Sequence, residues 1–153
     1  MEIKVQDELY VAYVSNVLCI PEVSKYSVAA QKIIAAELKK QDIKVDNKWV
    51  FISYNLPKNG KEKYKIEFCL IVDERAQAAG SMSIKKLDKV SCVSGCYCGS
   101  LRSLFTKGYA PLLNNIRAGK IKLTNESREI YHIWNGPLAK DNQIEIQFIM
   151  TNQ

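Results

Sequence analysis

Glu129 stands two residues before Tyr131, and the segment that carries the pair has a counterpart earlier in the chain where the acid is a phenylalanine, Phe51. A carboxylate with aromatic neighbours suits an organic cation. Each ring attracts a cation through its negative face, about 0.5–2 kcal/mol, and the carboxylate adds a charge-assisted contact of roughly 1.5–3 kcal/mol. Burying about 300 Å² of apolar ligand surface contributes some 7 kcal/mol gross. After the entropic losses of association this supports micromolar affinity, about −8 kcal/mol. The candidate ligand-binding residues are Glu129, Tyr131, Phe51, Trp49, Tyr13 and Ile133. A second chemistry is open to the same pair: Glu129 as a general base toward water, with Tyr131 orienting it or donating a proton.

Other reactive side chains form no recognisable constellation. Cys92, Cys96 and Cys98 have the spacing Cys-x3-Cys-x-Cys, which matches no closed zinc pattern, and the chain has a single histidine, His132. Five cysteines is an odd number, so a disulfide framework is not expected. Neither a metal nor a cofactor is expected.

The contrast between Glu129 and Phe51 emerges from an internal repeat. Ile43-Lys44-Val45-Asp46-Asn47 recurs as Ile121-Lys122-Leu123-Thr124-Asn125, 78 positions later. Ile66-Glu67-Phe68-Cys69-Leu70-Ile71 recurs as Ile144-Glu145-Ile146-Gln147-Phe148-Ile149 at the same offset. Each copy is too small to bury a core alone, so the two are expected to associate about a pseudo-twofold axis.

Hydrophobic periodicity gives each copy the order strand, helix, strand, strand. In the first, residues 8–19 alternate as a strand. Residues 27–41 read as a helix, with Ala29, Ala30, Ile33, Ile34 and Leu38 forming one apolar stripe and Ser27 as its N-cap. Strands at about 48–55 and 63–73 form a hairpin around Pro57-Lys58-Asn59-Gly60. Residues 74–83 read as a linker. The second copy opens with one strand near 84–97. Gly108 and Pro111 interrupt the helical stripe that comes next, which predicts a short separate turn at 100–107 and a helix at 110–118, with Pro111 in its first turn and Gly119 just past its end. A last hairpin spans about 127–134 and 143–151. The fold class is α+β: tandem β-α-β-β repeats with pseudo-twofold symmetry, an antiparallel sheet with two helices on one face and a ligand cleft on the other.

Side-chain alternation then predicts the faces. Ile66, Phe68, Leu70 and Val72, with Ile144, Ile146, Phe148 and Met150, are expected to meet the helices, as are Ile52 and Ile130. That leaves Trp49, Phe51 and Ser53, with Glu129, Tyr131 and Ile133, on the cleft side. A bulge would reverse the assignment beyond it.

Bulk properties bound the function classes. With 153 residues, 47% hydrophobic and 25% charged, the chain suits one soluble domain. No apolar run reaches about 20 residues, and Met1–Asp7 lacks a signal-peptide core, so a cytoplasmic protein without membrane contact is expected. The net charge of +6 comes from scattered lysines rather than one basic arm, so direct DNA binding is not expected.

The pattern resembles the GyrI-like small-molecule-binding domain, also called the AraC-type effector-binding domain, over essentially the whole chain. The resemblance rests on the tandem layout, on Trp49-Val50-Phe51-Ile52-Ser53-Tyr54, on Tyr64-Lys65-Ile66-Glu67-Phe68, on Gly99 and Leu104 leading to Tyr109-x-x-Leu112-Leu113, and above all on Arg128-Glu129-Ile130-Tyr131 before Glu145-Ile146. It implies a cleft for lipophilic, often cationic compounds, with Glu129 as anionic anchor and aromatics such as Tyr131 around the ligand. A stand-alone module acting as drug sensor, buffer or resistance factor is the expected role. Some relatives hydrolyse cyclopropane-containing toxins and some interact with DNA gyrase, so a hydrolase and a gyrase-interacting protein are the alternatives.

Overall fold

The structure is a computed structural model that describes Met1–Asn152. Its elements, in chain order, are β1 (Glu2–Gln6), β2 (Leu9–Leu18), α1 (Val23–Lys40), β3 (Trp49–Tyr54), β4 (Tyr64–Val72), β5 (Ser83–Leu87), β6 (Val90–Cys98), α2 (Ala110–Ala118), β7 (Leu123–Ile133) and β8 (Gln143–Met150). The fold is α+β with antiparallel strands. Its contacts divide into two compact units: Glu8–Asp88 holds the first repeat, and Met1–Asp7 together with Lys89 onward holds the second.

In the first unit the strands run β3-β4-β2-β5. Helix α1 places Ala30, Ile34 and Leu38 at four-residue intervals, so one stripe is buried against Ala12, Leu70 and Val72. Lys39 and Lys40 in its last turn complement the negative end of the helix dipole. The helix begins four residues before the expected N-cap. Pro21 and Glu22 sit in a tight turn over Ile20–Glu22, where the Cys19 backbone N–H donates to Glu22 Oε1 at 3.1 Å. That turn feeds directly into the helix, and Ser27 Oγ donates back to the Ser24 carbonyl instead of capping.

In the second unit the order is β1-β6-β8-β7. Leu112 and Ile116 of α2 pack on Val93, Tyr97, Ile144, Ile146 and Phe148. The helix occupies the expected residues, with Pro111 in its first turn and Gly119 at its C-cap. The turn before it is a short 3-10 segment, Leu101–Ser103, followed by a π-helix, Leu104–Tyr109.

Two strand expectations are corrected. The single strand near 84–97 is two strands, because β5 pairs with β2 of the first unit while β6 pairs with β8 and β1 of the second. Met1–Asp7, to which no strand was assigned, supplies β1. Each repeat therefore acquires a fourth strand from outside its β-α-β-β core, which local alternation could not reveal.

The face assignment is corrected as well. Directly opposed residues of antiparallel strands share a face. Glu129 opposes Ile146 and Tyr131 opposes Ile144, so both stand on the face that α2 covers. Phe51 opposes Phe68 and Trp49 opposes Leu70, on the side of α1. Ile52 and Ile130 instead oppose Glu67 and Glu145 on the far face. Alternation within one strand carries no information on register to the next, and a one-residue difference exchanges the faces.

The π-helix depends on a close approach at Gly108. A Cβ there would lie 3.0 Å from Ile146 Cδ1 and 3.2 Å from Tyr97 Cβ. Gly108→Ala is therefore expected to destabilise the protein by about 1–3 kcal/mol through overpacking, read as a lower urea midpoint with an unchanged m-value.

Candidate functional site

The Glu129 site is assembled entirely within the second unit. Strand β7 carries Glu129 and Tyr131 on one face, and Tyr131 Oη donates to Glu129 Oε1 at 2.6 Å. The π-helix delivers Tyr109, whose hydroxyl donates to Glu129 Oε2. Rings continue outward from these two tyrosines. Phe105 stacks on Tyr109 with centroids 6.4 Å apart, Tyr109 meets Phe148 edge to face at 6.0 Å, and Trp134 meets Tyr131 edge to face at 5.5 Å. Phe105 is 66% exposed and Trp134 46%, so the outer rings present open aromatic surface beside the acid.

Glu129 as a residue keeps partial exposure, but its carboxyl lies among these rings. Burial raises its pKa above the ordinary carboxylate value, and the hydroxyls of Tyr109 and Tyr131, which favour the charged form, pull only partway back. Such a group gains from a cation brought against it, because the charge that burial penalises is then compensated.

The candidate residues fall into separate places. Glu129 and Tyr131 are brought together. Ile133 is turned away: the register shifts between Tyr131 and Ile133, so Ile133 opposes Gln143, two residues from Glu145 and on its face. The same bulge swings Trp134 onto Tyr131, reversing the predicted alternation. Phe51 and Trp49 belong to the first unit. Phe51 is edge-on to Phe68 at 4.8 Å, and Trp49 donates its indole N–H to Asn47 Oδ1 at 3.1 Å. Trp49 also lines a cavity of about 330 Å³ with Leu38, Ile43, Val45 and Leu70. Tyr13 opposes Cys69 on the far face of that unit, where Lys85 Nζ lies 4.5 Å from its ring centre. Sequence reasoning missed Tyr109 as a partner of the acid, and Phe105 and Trp134 as the rings set on its two tyrosines. The Gly108-Tyr109 pair was the available sign of a close approach; the bulge left none.

Glu145 and Glu67, 78 positions apart, are buried on the far faces of their units. Glu67 takes Tyr54 Oη at 2.7 Å and Lys85 Nζ at 2.6 Å. Glu145 takes Lys4 Nζ at 2.6 Å, with Ser94 Oγ, Gln147 Nε2 and His132 Nε2 each at 2.8 Å. Burial pushes the Glu145 pKa up, but the four donors outweigh it and hold the carboxyl at about 2. Among the described residues no three of His, Cys, Asp and Glu are placed to hold a metal ion.

No protein-family model matches the chain, and no curated protein matches it. Solved structures do. The EcmrR C-terminal domain is similar over 99% of this chain and 97% of its own, at 23% identity and a TM-score of 0.78. EcmrR in its DNA complex within EcmrR-RPo is similar at 22% identity and a TM-score of 0.79, and this chain spans 57% of that longer one. SAV2435 bound to tetraphenylphosphonium is similar over 99% of this chain and 94% of its own, at 11% identity and a TM-score of 0.63. At these identities the shared property is the fold, which agrees with the GyrI-like fold.

Glu145 yields a pH test. Its folded pKa of about 2 lies below the ordinary 4.5, so its stabilisation is complete above pH 4.5 and is lost as the pH falls from there toward 2. Glu145→Gln should lose about 3 kcal/mol at neutral pH and show a flatter stability profile across that interval, measured by urea unfolding at each pH.

Proposed function

We propose that the protein is a small-molecule-binding module for lipophilic organic cations, of the GyrI-like effector-binding type. The observation that carries this reading is the Glu129 carboxyl, held by the hydroxyls of Tyr109 and Tyr131 and flanked by the exposed rings of Phe105 and Trp134. A cation seated there is attracted by the rings and neutralises an acid that burial otherwise penalises. The bound molecule of the similarly folded SAV2435, tetraphenylphosphonium, belongs to this chemical class and supports the reading.

Calorimetry with tetraphenylphosphonium and its anionic isostere tetraphenylborate tests the proposal. The phosphonium should bind with micromolar affinity and the borate at least about tenfold more weakly. Glu129→Gln should weaken phosphonium binding by roughly 10–100-fold, the size of a charged contact of about 1.5–3 kcal/mol. Because the Glu129 pKa is raised, cation affinity should begin to fall above pH 4.5 as the pH is lowered and the carboxyl takes up its proton. Equal binding of both isosteres, or an unchanged affinity in Glu129→Gln, would overturn the reading.

A further inference from the structure

We infer that His132 is a positioning residue for the aromatic wall beside Glu129: its bond to Glu145 pins the bulge that turns Trp134 onto Tyr131. The inference rests on the cation-binding reading and says how this chain decides which cations that site prefers.

Strands β7 and β8 pair one to one from Ser127 opposite Phe148 to Tyr131 opposite Ile144, and then Ile133 opposes Gln143. One extra residue is therefore accommodated on β7. With uninterrupted alternation, Ile133 would share the face of Tyr131 and Trp134 would point to the far side. The bulge exchanges them, and the rings of Tyr131 and Trp134 meet at 5.5 Å with an interplanar angle of 90°. An extra residue is out of the ladder, so its place along the strand is open unless something holds it.

His132 is held. Its Nε2 lies 2.8 Å from Glu145 Oε1, and since that carboxylate is acceptor-only the imidazole donates. The carboxylate is itself immobilised by Lys4 from β1, Ser94 from β6 and Gln147 from its own strand, and is 4% exposed. The pin thus has its base in three strands. The first repeat supplies the contrast. There Tyr54 occupies the position 78 residues before His132 and donates to Glu67, yet β3 pairs one to one with β4 from Trp49 to Tyr54 without any shift. The buried glutamate is common to both repeats; the histidine and the bulge belong to the second alone.

Without the pin, β7 can lose the bulge. Glu129 and Tyr131 stay in register, because the pairing up to Tyr131 does not depend on the residues beyond it, but Ile133 replaces Trp134 on their face. The charge contact survives and a ring is exchanged for an aliphatic group.

Titrations of wild type, His132→Leu and His132→Gln with tetraphenylphosphonium and with tetrabutylammonium test this. His132→Leu should weaken the aromatic cation by about tenfold, the scale of one lost ring contact, and leave the aliphatic cation unchanged. His132→Gln, whose amide N–H can reach Glu145, should bind both as wild type does. Loss of both cations alike in His132→Leu, or of neither, overturns the assignment. Trp134 emission in a Trp49→Phe background gives a reading that needs no ligand: it should shift in His132→Leu and not in His132→Gln. If wild type binds neither cation, the functional reading falls while this emission still decides the positioning role, and an unshifted spectrum in His132→Leu overturns it.

Discussion

Opposed residues on antiparallel strands must share a face, and the register between β7 and β8 carries the consequences of that constraint for the whole site. With Glu129 opposite Ile146, the acid is committed to the side where Phe148, Tyr109 and the helical stretch from Leu104 to Ala118 collect. A carboxyl placed there loses water and must find donors among the groups the helices bring. The π-helix brings Tyr109, and it does so because Gly108 lets the backbone come close to Ile146 and Tyr97. The burial of the acid, its two hydroxyl partners and the exposed rings outside them all stem from that one register.

The same pair of strands holds a second acid in the opposite condition. Glu145, on the far face, meets an ammonium, an imidazole, an amide and a hydroxyl, and these donors hold it ionised against the effect of burial. Glu129 meets two phenols, and burial prevails. An ammonium with three further donors outweighs desolvation where two phenols do not. One carboxylate is thereby committed to holding strands together, and the other keeps its proton more readily than an ordinary carboxyl.

Much of the framework was legible in the chain. The stripe of Ala30, Ile34 and Leu38, and the pairing of Pro111 with Gly119, are local patterns, and the structure obeys them in the helices. The contrast between Phe51 and Glu129, and the proximity of Tyr131 to that acid, were legible for the same reason: neighbours two apart on a strand are neighbours whatever the strand pairs with.

The relations that cross from one segment to another were beyond the reach of the sequence. Which face Glu129 occupies, whether β5 joins the first repeat and β1 the second, and whether Trp134 or Ile133 stands beside Tyr131 all depend on register. A shift of one residue leaves every local pattern intact while exchanging the two faces. The sequence by itself determined the helices and the closeness of Tyr131 to Glu129, since these rest on interactions within a few residues. Only the tertiary structure decided what surrounds that acid, because its partner Tyr109 comes from 20 residues away on a π-helix, and the ring set on Tyr131 comes from beyond a bulge, where packing rather than local preference settles the geometry.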